Sequence, residues 1–131
     1  MTKNESCIFC KIVAQEIPSF KVYEDENFLG FLTIKPHTKG HTLLVPKVHF
    51  TEILETEDKV VEEIFVTGKK FGEKLKEIFK PDKVAFVVAG QGVPHLHLHL
   101  IPMNQESDLD PHIAKEADFA ELKEIQKLFT N

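Results

Sequence analysis

The stretch His95-Leu96-His97-Leu98-His99-Leu100-Ile101, closed by Pro102, decides how the rest of this chain is read. Strict polar–apolar alternation predicts a strand, because successive strand side chains point to opposite faces. His95, His97 and His99 then share one face, stepped about 6.6–6.8 Å apart. Leu96, Leu98 and Leu100 fill the other face and anchor the strand in a core. Burying three imidazoles costs about 1–3 kcal/mol each unless every ring finds partners, and valine or threonine would cover a sheet face more cheaply. Three readings are open: a solvated surface, a set of metal ligands, or a phosphate site. In the last, one imidazole is the nucleophile, others donate to phosphoryl oxygens, and the backbone at Gly90 and Gly92 offers an anion nest.

Working outward, Val84-Ala85-Phe86-Val87-Val88 is a wholly apolar run of the kind found in a central buried strand. Ala89-Gly90-Gln91-Gly92 turns the chain from it into the histidine stretch. Val61, Ile64, Phe65, Gly68, Phe71, Leu75 and Ile78 fall on one helical stripe, so a long helix is expected from Thr56 or Asp58 to about Phe79, before Pro81. Lys69 and Lys70 lie on its solvated face. His41-Thr42-Leu43-Leu44-Val45 reads as a strand ended by Pro46, following a loop from Lys35 to Gly40. Phe20-Lys21-Val22-Tyr23-Glu24 and Phe28-Leu29-Gly30-Phe31-Leu32 read as a hairpin around Asp25-Glu26-Asn27. Residues 8–14 make a short first helix, stopped before Pro18. Residues 114–129 carry Phe119, Leu122, Ile125 and Phe129 at helical spacing, and Asp108, Asp110 and His112 ahead of them read as helix-start and solubility residues. The expected class is α+β: a mainly antiparallel sheet of about five strands, one long helix and a C-terminal helix.

The 131 residues suit a single domain. A composition 42% hydrophobic and 28% charged excludes disorder throughout. The 16 basic against 21 acidic residues, a net charge of −5, argue against a nucleic-acid binder. No apolar run approaches the roughly 20 residues that span a bilayer, and the N-terminus leads into no apolar signal segment, so a cytoplasmic protein with no membrane partner is expected. Cys7 and Cys10 are too few and too close for a disulfide framework. As Cys-x-x-Cys they read as a redox pair, which needs a preceding strand that the first six residues do not supply, as two buried thiols, or as half of a zinc site.

The His-φ-His-φ-His-φ-φ pattern (φ apolar) of residues 95–101, with Ala89-Gly90-Gln91 and Val93 before it, resembles the signature of the histidine triad (HIT) superfamily. Cys7-Ile8-Phe9-Cys10-Lys11-Ile12, Ile17-Pro18-Ser19 and Lys39-Gly40-His41-Thr42-Leu43-Leu44-Val45-Pro46-Lys47-Val48-His49 resemble its Hint-like branch. The shared pattern runs from residue 7 to about 103 and leaves residues 104–131 as a helical tail. The resemblance implies an α+β homodimer that binds a purine nucleotide or nucleotide conjugate. It also implies hydrolysis or transfer of nucleoside monophosphates, from phosphoramidate, dinucleoside polyphosphate or acyl-AMP substrates, through a covalent nucleotidyl-histidine. The implied nucleophile is His97; a neutral imidazole, with its reference pKa of about 6.5, attacks phosphorus without prior activation. By the same resemblance His99 holds the phosphate, His41 completes the polar cluster, and Gln91 contacts the leaving group. Phe9, Phe31 and Ile34 wall the base, Thr33 takes the ribose position, and Gly90, Gly92 and Val93 join the nucleotide-binding set. Several relatives with this N-terminal cysteine pair carry zinc, and their remaining ligands correspond to His49 and His95. Cys7, Cys10, His49 and His95 would form a closed structural set with no position for catalytic water, so catalysis itself requires no cofactor.

Three features depart from the branch. Thr33 stands where an aspartate usually grips the ribose hydroxyls, which removes a charge-assisted bidentate pair. The stretch before Ala89 is apolar and shorter where a turn asparagine is usual, and Gly92 replaces a serine or threonine. Hydrolysis with an altered substrate or efficiency is expected; the alternative is a nucleotide-binding sensor or scaffold with little turnover.

Overall fold

Asp25 makes the first corner of the sheet. Its Oδ1 accepts the amides of Asn27 at 2.8 Å and Phe28 at 2.7 Å, an Asx turn that folds the two flanking strands together. In this computed structural model, which describes residues 6–89 and 92–129, the elements in chain order are α1 (Ile8–Val13), β1 (Phe20–Glu24), β2 (Phe28–Leu32), β3 (Thr42–Pro46), α2 (Asp58–Phe79), β4 (Lys83–Val87), β5 (Leu98–Met103) and α3 (Phe119–Lys127). The strands form one five-stranded sheet in the order β1-β2-β3-β5-β4, with every pairing antiparallel. The α+β class read from the sequence is the observed one.

Strand alternation sorts the core onto the two faces of this sheet. Phe28, Leu44, Leu98 and Leu100 meet Ile64, Phe71 and Leu75 of α2 on one face. Leu29, Phe31, Leu43 and Val45 meet Cys7, Phe9 and Cys10 on the other. A Cβ added to Gly68 would lie 2.8 Å from Leu98 Cδ2, so α2 rests closely on β5. Leu32 packs with Leu122 and Ile125, which seats α3 beside the β1 end of the sheet. The leucines of the histidine stretch therefore lie in the α2 core, and its imidazoles face α1.

Several elements differ from the sequence reading. The last strand begins at Leu98, not His95. The His95 amide donates to Val93 O at 2.8 Å and the Leu96 amide to Phe50 O at 2.7 Å, so the residues after Pro94 are occupied outside the ladder. The third strand runs one residue later than expected and includes Pro46, opposite Phe28. The apolar run near residue 85 is an edge strand rather than a central one, because β5 lies between it and β3. The last helix starts at Phe119 rather than 114, since the Ala117 amide donates to Ile34 O at 2.9 Å and Asp118 caps the helix. Asp108 and Asp110 serve the starts of two short 3-10 turns rather than of the last helix, Asp108 by accepting the Gln105 amide and Asp110 that of His112.

Gly40 positions the following His41. It has φ +89, and a Cβ there would fall 2.5 Å from Cε2 of Phe79. Both backbone strain and overlap with the ring oppose any side chain. Gly40→Ala is expected to destabilise the fold by about 1–3 kcal/mol, read as a shift of the urea midpoint without loss of cooperativity; an unchanged midpoint would contradict the packing described.

Candidate functional site

Four backbone groups decide the proton positions on the buried imidazoles. A carbonyl oxygen only accepts and an amide only donates, so each contact fixes one ring nitrogen. His97 Nδ1 lies 2.7 Å from His95 O and therefore carries a proton, leaving the lone pair on Nε2. His95 Nε2 lies 3.0 Å from Pro46 O, which leaves the lone pair on Nδ1. The His37 amide donates to His41 Nδ1 at 3.0 Å. The neutral His41 ring then carries its proton on Nε2 and donates it to His99 Nδ1, 3.0 Å away, so the His99 proton lies on Nε2. His37 is tied by its own Nδ1, which donates to Asp108 O at 2.9 Å.

Burial favours the neutral form of His41, His97 and His99. Desolvation, with His99 and His37 adding to it, pushes the His41 pKa down to about 3. Desolvation and the neighbouring His97 and His37 push His99 down to about 4, and desolvation outweighs the His95 carbonyl to lower His97. His97 and His99 stand 5.0 Å apart, centre to centre. The solvated-surface reading fails for His95 and His97, at 0% and 3% exposure, with His99 partly buried beside them.

Cys7, Cys10, His49 and His95 gather on the other side of His97, and their donor atoms all lie within 4.8 Å of one another. His95 Nδ1 stands 3.2 Å from Cys7 Sγ and 3.5 Å from Cys10 Sγ, and His49 Nδ1 is 3.2 Å from Cys10 Sγ. Tetrahedral metal with bonds of about 2.3 Å to sulfur and 2.0–2.1 Å to nitrogen places such donors about 3.5 Å apart. The bare His95 Nδ1 points at both thiols, and Pro46 O holds the opposite nitrogen as outer partners of metal-bound imidazoles do. The four residues fit a metal ion. The cysteines are thus grouped with imidazoles, and no disulfide joins them.

An apolar cleft of about 510 Å³ opens between α1 and the sheet, within the usual size of small-molecule sites. Phe9, Phe31, Leu43, Thr33 and Ile34 line it. Phe9 also meets His97 edge-on at 5.1 Å, so one ring borders both cleft and histidines. Thr33 Oγ1 accepts the Lys35 amide at 3.2 Å. Val93 packs against the cluster containing Phe9, and Gly92 sits at φ +87 with open space around it.

The structure thus brings His41, His97 and His99 together, the four sulfur and nitrogen donors together, and Phe9, Phe31, Thr33 and Ile34 together. Gly90 and Gln91 lie outside the described residues. The sequence reading missed His37, whose amide and ring steady His41. It also missed the carbonyls of Pro46 and His95, which no side-chain pattern reveals because every residue supplies a carbonyl. Phe20 and Phe119 of the cleft wall were placed only as strand and helix residues.

A family model described as HIT domain matches residues 14–106. The chain is 42% identical over 109 residues to the Protein hit of Bacillus subtilis, covering 79% of this chain and 75% of that protein. It is 33% identical over 129 residues to the adenosine 5'-monophosphoramidase of Saccharomyces cerevisiae, covering 96% and 82%. Among solved structures, a Zn-bound histidine triad family protein from Mycobacterium smegmatis superposes with a TM-score of 0.81 at 33% identity, over 95% of this chain and 91% of that one.

The lowered pKa values set a pH dependence. Folded His41 and His99 bind fewer protons than the unfolded chain, whose histidines titrate near about 6.5. Their contribution is fully present above about pH 6.5 and is lost as pH falls toward 3–4. Urea midpoints are expected to fall between pH 7.5 and pH 5, and to fall less in His41→Gln; equal pH slopes for both proteins would contradict the burial of this pair.

Proposed function

The chain belongs to the HIT family, and we propose that it is a nucleotide-binding hydrolase that cleaves nucleoside monophosphate derivatives through a covalent nucleotidyl-histidine on His97. The observation that carries this reading is the 2.7 Å contact from His97 Nδ1 to His95 O. It leaves Nε2 with a lone pair on a neutral ring that needs no general base. In the first step Nε2 bonds to phosphorus and the bond to the leaving group breaks; the leaving group takes the electron pair and then a proton from water. In the second, water attacks phosphorus, releasing the nucleoside monophosphate and free His97. His99, with its proton on Nε2, donates to a phosphoryl oxygen where negative charge gathers. His41 acts through His99, keeping it in that tautomer. The cleft bordered by Phe9, Phe31 and Ile34 takes the base and Thr33 meets the ribose. The activity named for the yeast relative supports adenosine 5'-phosphoramidate as the first substrate to test.

We assign zinc to Cys7, Cys10, His49 and His95, supported by the donor set and by the zinc-bound relative. With four protein ligands it is structural, fastening α1 and the loop after β3 to the chain before β5. The free edge of β4, with Phe86 39% exposed, fits pairing with a second copy of the chain, as the homodimer reading requires. No helix among the described residues is long and apolar enough to cross a membrane, and the proposed setting is the cytoplasm. One observation favours the alternative of a binder with little turnover: Thr33 supplies no carboxylate to the cleft.

AMP release from adenosine 5'-phosphoramidate at neutral pH is expected to persist in brief chelator treatment and to fall at least about 10³-fold in His97→Ala. AMP binding without release by the wild type would favour the binding protein, and full activity in His97→Ala would overturn the mechanism. Elemental analysis should find about one zinc per chain. Cys10→Ser should lose it along with several degrees of Tm; a metal-free wild type of unchanged Tm would contradict the assignment.

A further inference from the structure

Phe119 is 60% exposed, yet α3 does not need it for anchorage. Leu122 and Ile125, 2% and 7% exposed, already bury that helix against Leu32. Alanine also forms helix better than phenylalanine, so helix propensity does not account for the large ring. Its position does. Phe119 lines the cleft that Phe9 shares with His97, together with Phe31 and Ile34. Three contacts hold it there: Asp118 Oδ1 accepts the Ala120 amide at 2.8 Å, the Ala117 amide donates to Ile34 O at 2.9 Å, and Phe20 meets the ring edge-on at 5.4 Å. Ile8 and Ile34, also at the cleft, are 46% and 49% exposed. An apolar rim of this kind marks a ligand site rather than a fold requirement. Among the described residues, no charged side chain lines the cleft.

Resting on the nucleotide-hydrolase reading, we propose that Phe119 is a specificity-determining residue that forms the outer wall of the base site and selects purines. The residue lies beyond residue 106, where the match to the HIT domain ends. The segment that carries α3 would therefore complete a site whose reactive groups all lie within the matched region. A purine presents a wider π face than a pyrimidine and gains more from a further aromatic wall beside Phe9, Phe20 and Phe31.

The test compares wild type, Phe119→Ala and Phe119→Tyr, with Leu54→Ala, 87% exposed, as a surface control. Steady-state kinetics use adenosine 5'-phosphoramidate; calorimetry measures AMP and CMP binding, and Tm is recorded for each protein. Phe119→Ala is expected to raise KM and the AMP Kd by about 5- to 100-fold, with kcat within about twofold. CMP binding should weaken less, so the AMP preference shrinks, and Phe119→Tyr should restore wild-type values. Wild-type KM, Kd and base preference in Phe119→Ala would overturn the proposal. So would a fall in kcat that tracks a fall in Tm, since that is a structural role. A wild type that binds no nucleotide would instead overturn the nucleotide reading on which the proposal rests.

Discussion

The peptide unit of His95 holds this site in register. Its carbonyl takes the Nδ1 proton of His97 at 2.7 Å, and the ring of the same residue gives its Nε2 proton to Pro46 O at 3.0 Å. One residue thereby fixes two lone pairs, that of His95 Nδ1, which lies against the cysteine sulfurs, and that of His97 Nε2. Both contacts are with backbone, so the arrangement depends on β3 and the lead-in to β5 staying together. The leucines secure that: Leu96, Leu98 and Leu100 are at most 2% exposed in the α2 core.

Buried imidazoles are tolerable only when satisfied, and among the described residues no buried side-chain nitrogen or oxygen lacks a partner. The hydrogen-bonded chain from the His37 amide through His41 to His99 extends this order outward from the strand. The cost is a set of neutral bases held far below their ordinary pKa, which favours the folded state at neutral pH and opposes it in acid. Phe9 connects the parts. It sits on α1 between the two cysteines, contacts Phe31, His95 and His97, and lines the cleft. Fixing α1 through Cys7 and Cys10 thus also fixes a wall of the cleft.

Much of this was legible in the sequence because alternation and helical periodicity report directly on burial. The split of leucines and histidines, the α2 stripe and the hairpin at Asp25 all follow from it. Where reading and structure part, tertiary contacts override local pattern. The Val93 and Phe50 carbonyls hold the His95 and Leu96 amides outside the ladder, and an apolar run near residue 85 does not disclose which side of β5 it will occupy. The tautomers were beyond sequence reading, because carbonyl acceptors carry no residue signature. Phe119 was legible as a helical apolar position, but its part in the cleft depends on how the tail crosses Ile34.

The central claim is that His97 keeps its proton on Nδ1 and so leaves a lone pair on Nε2. Long-range proton–nitrogen correlation NMR of imidazole-labelled protein at pH 7, with His97→Ala to assign the signals, reads this directly. The account predicts a neutral His97 ring protonated at Nδ1. A ring protonated at Nε2, or an imidazolium, would contradict it.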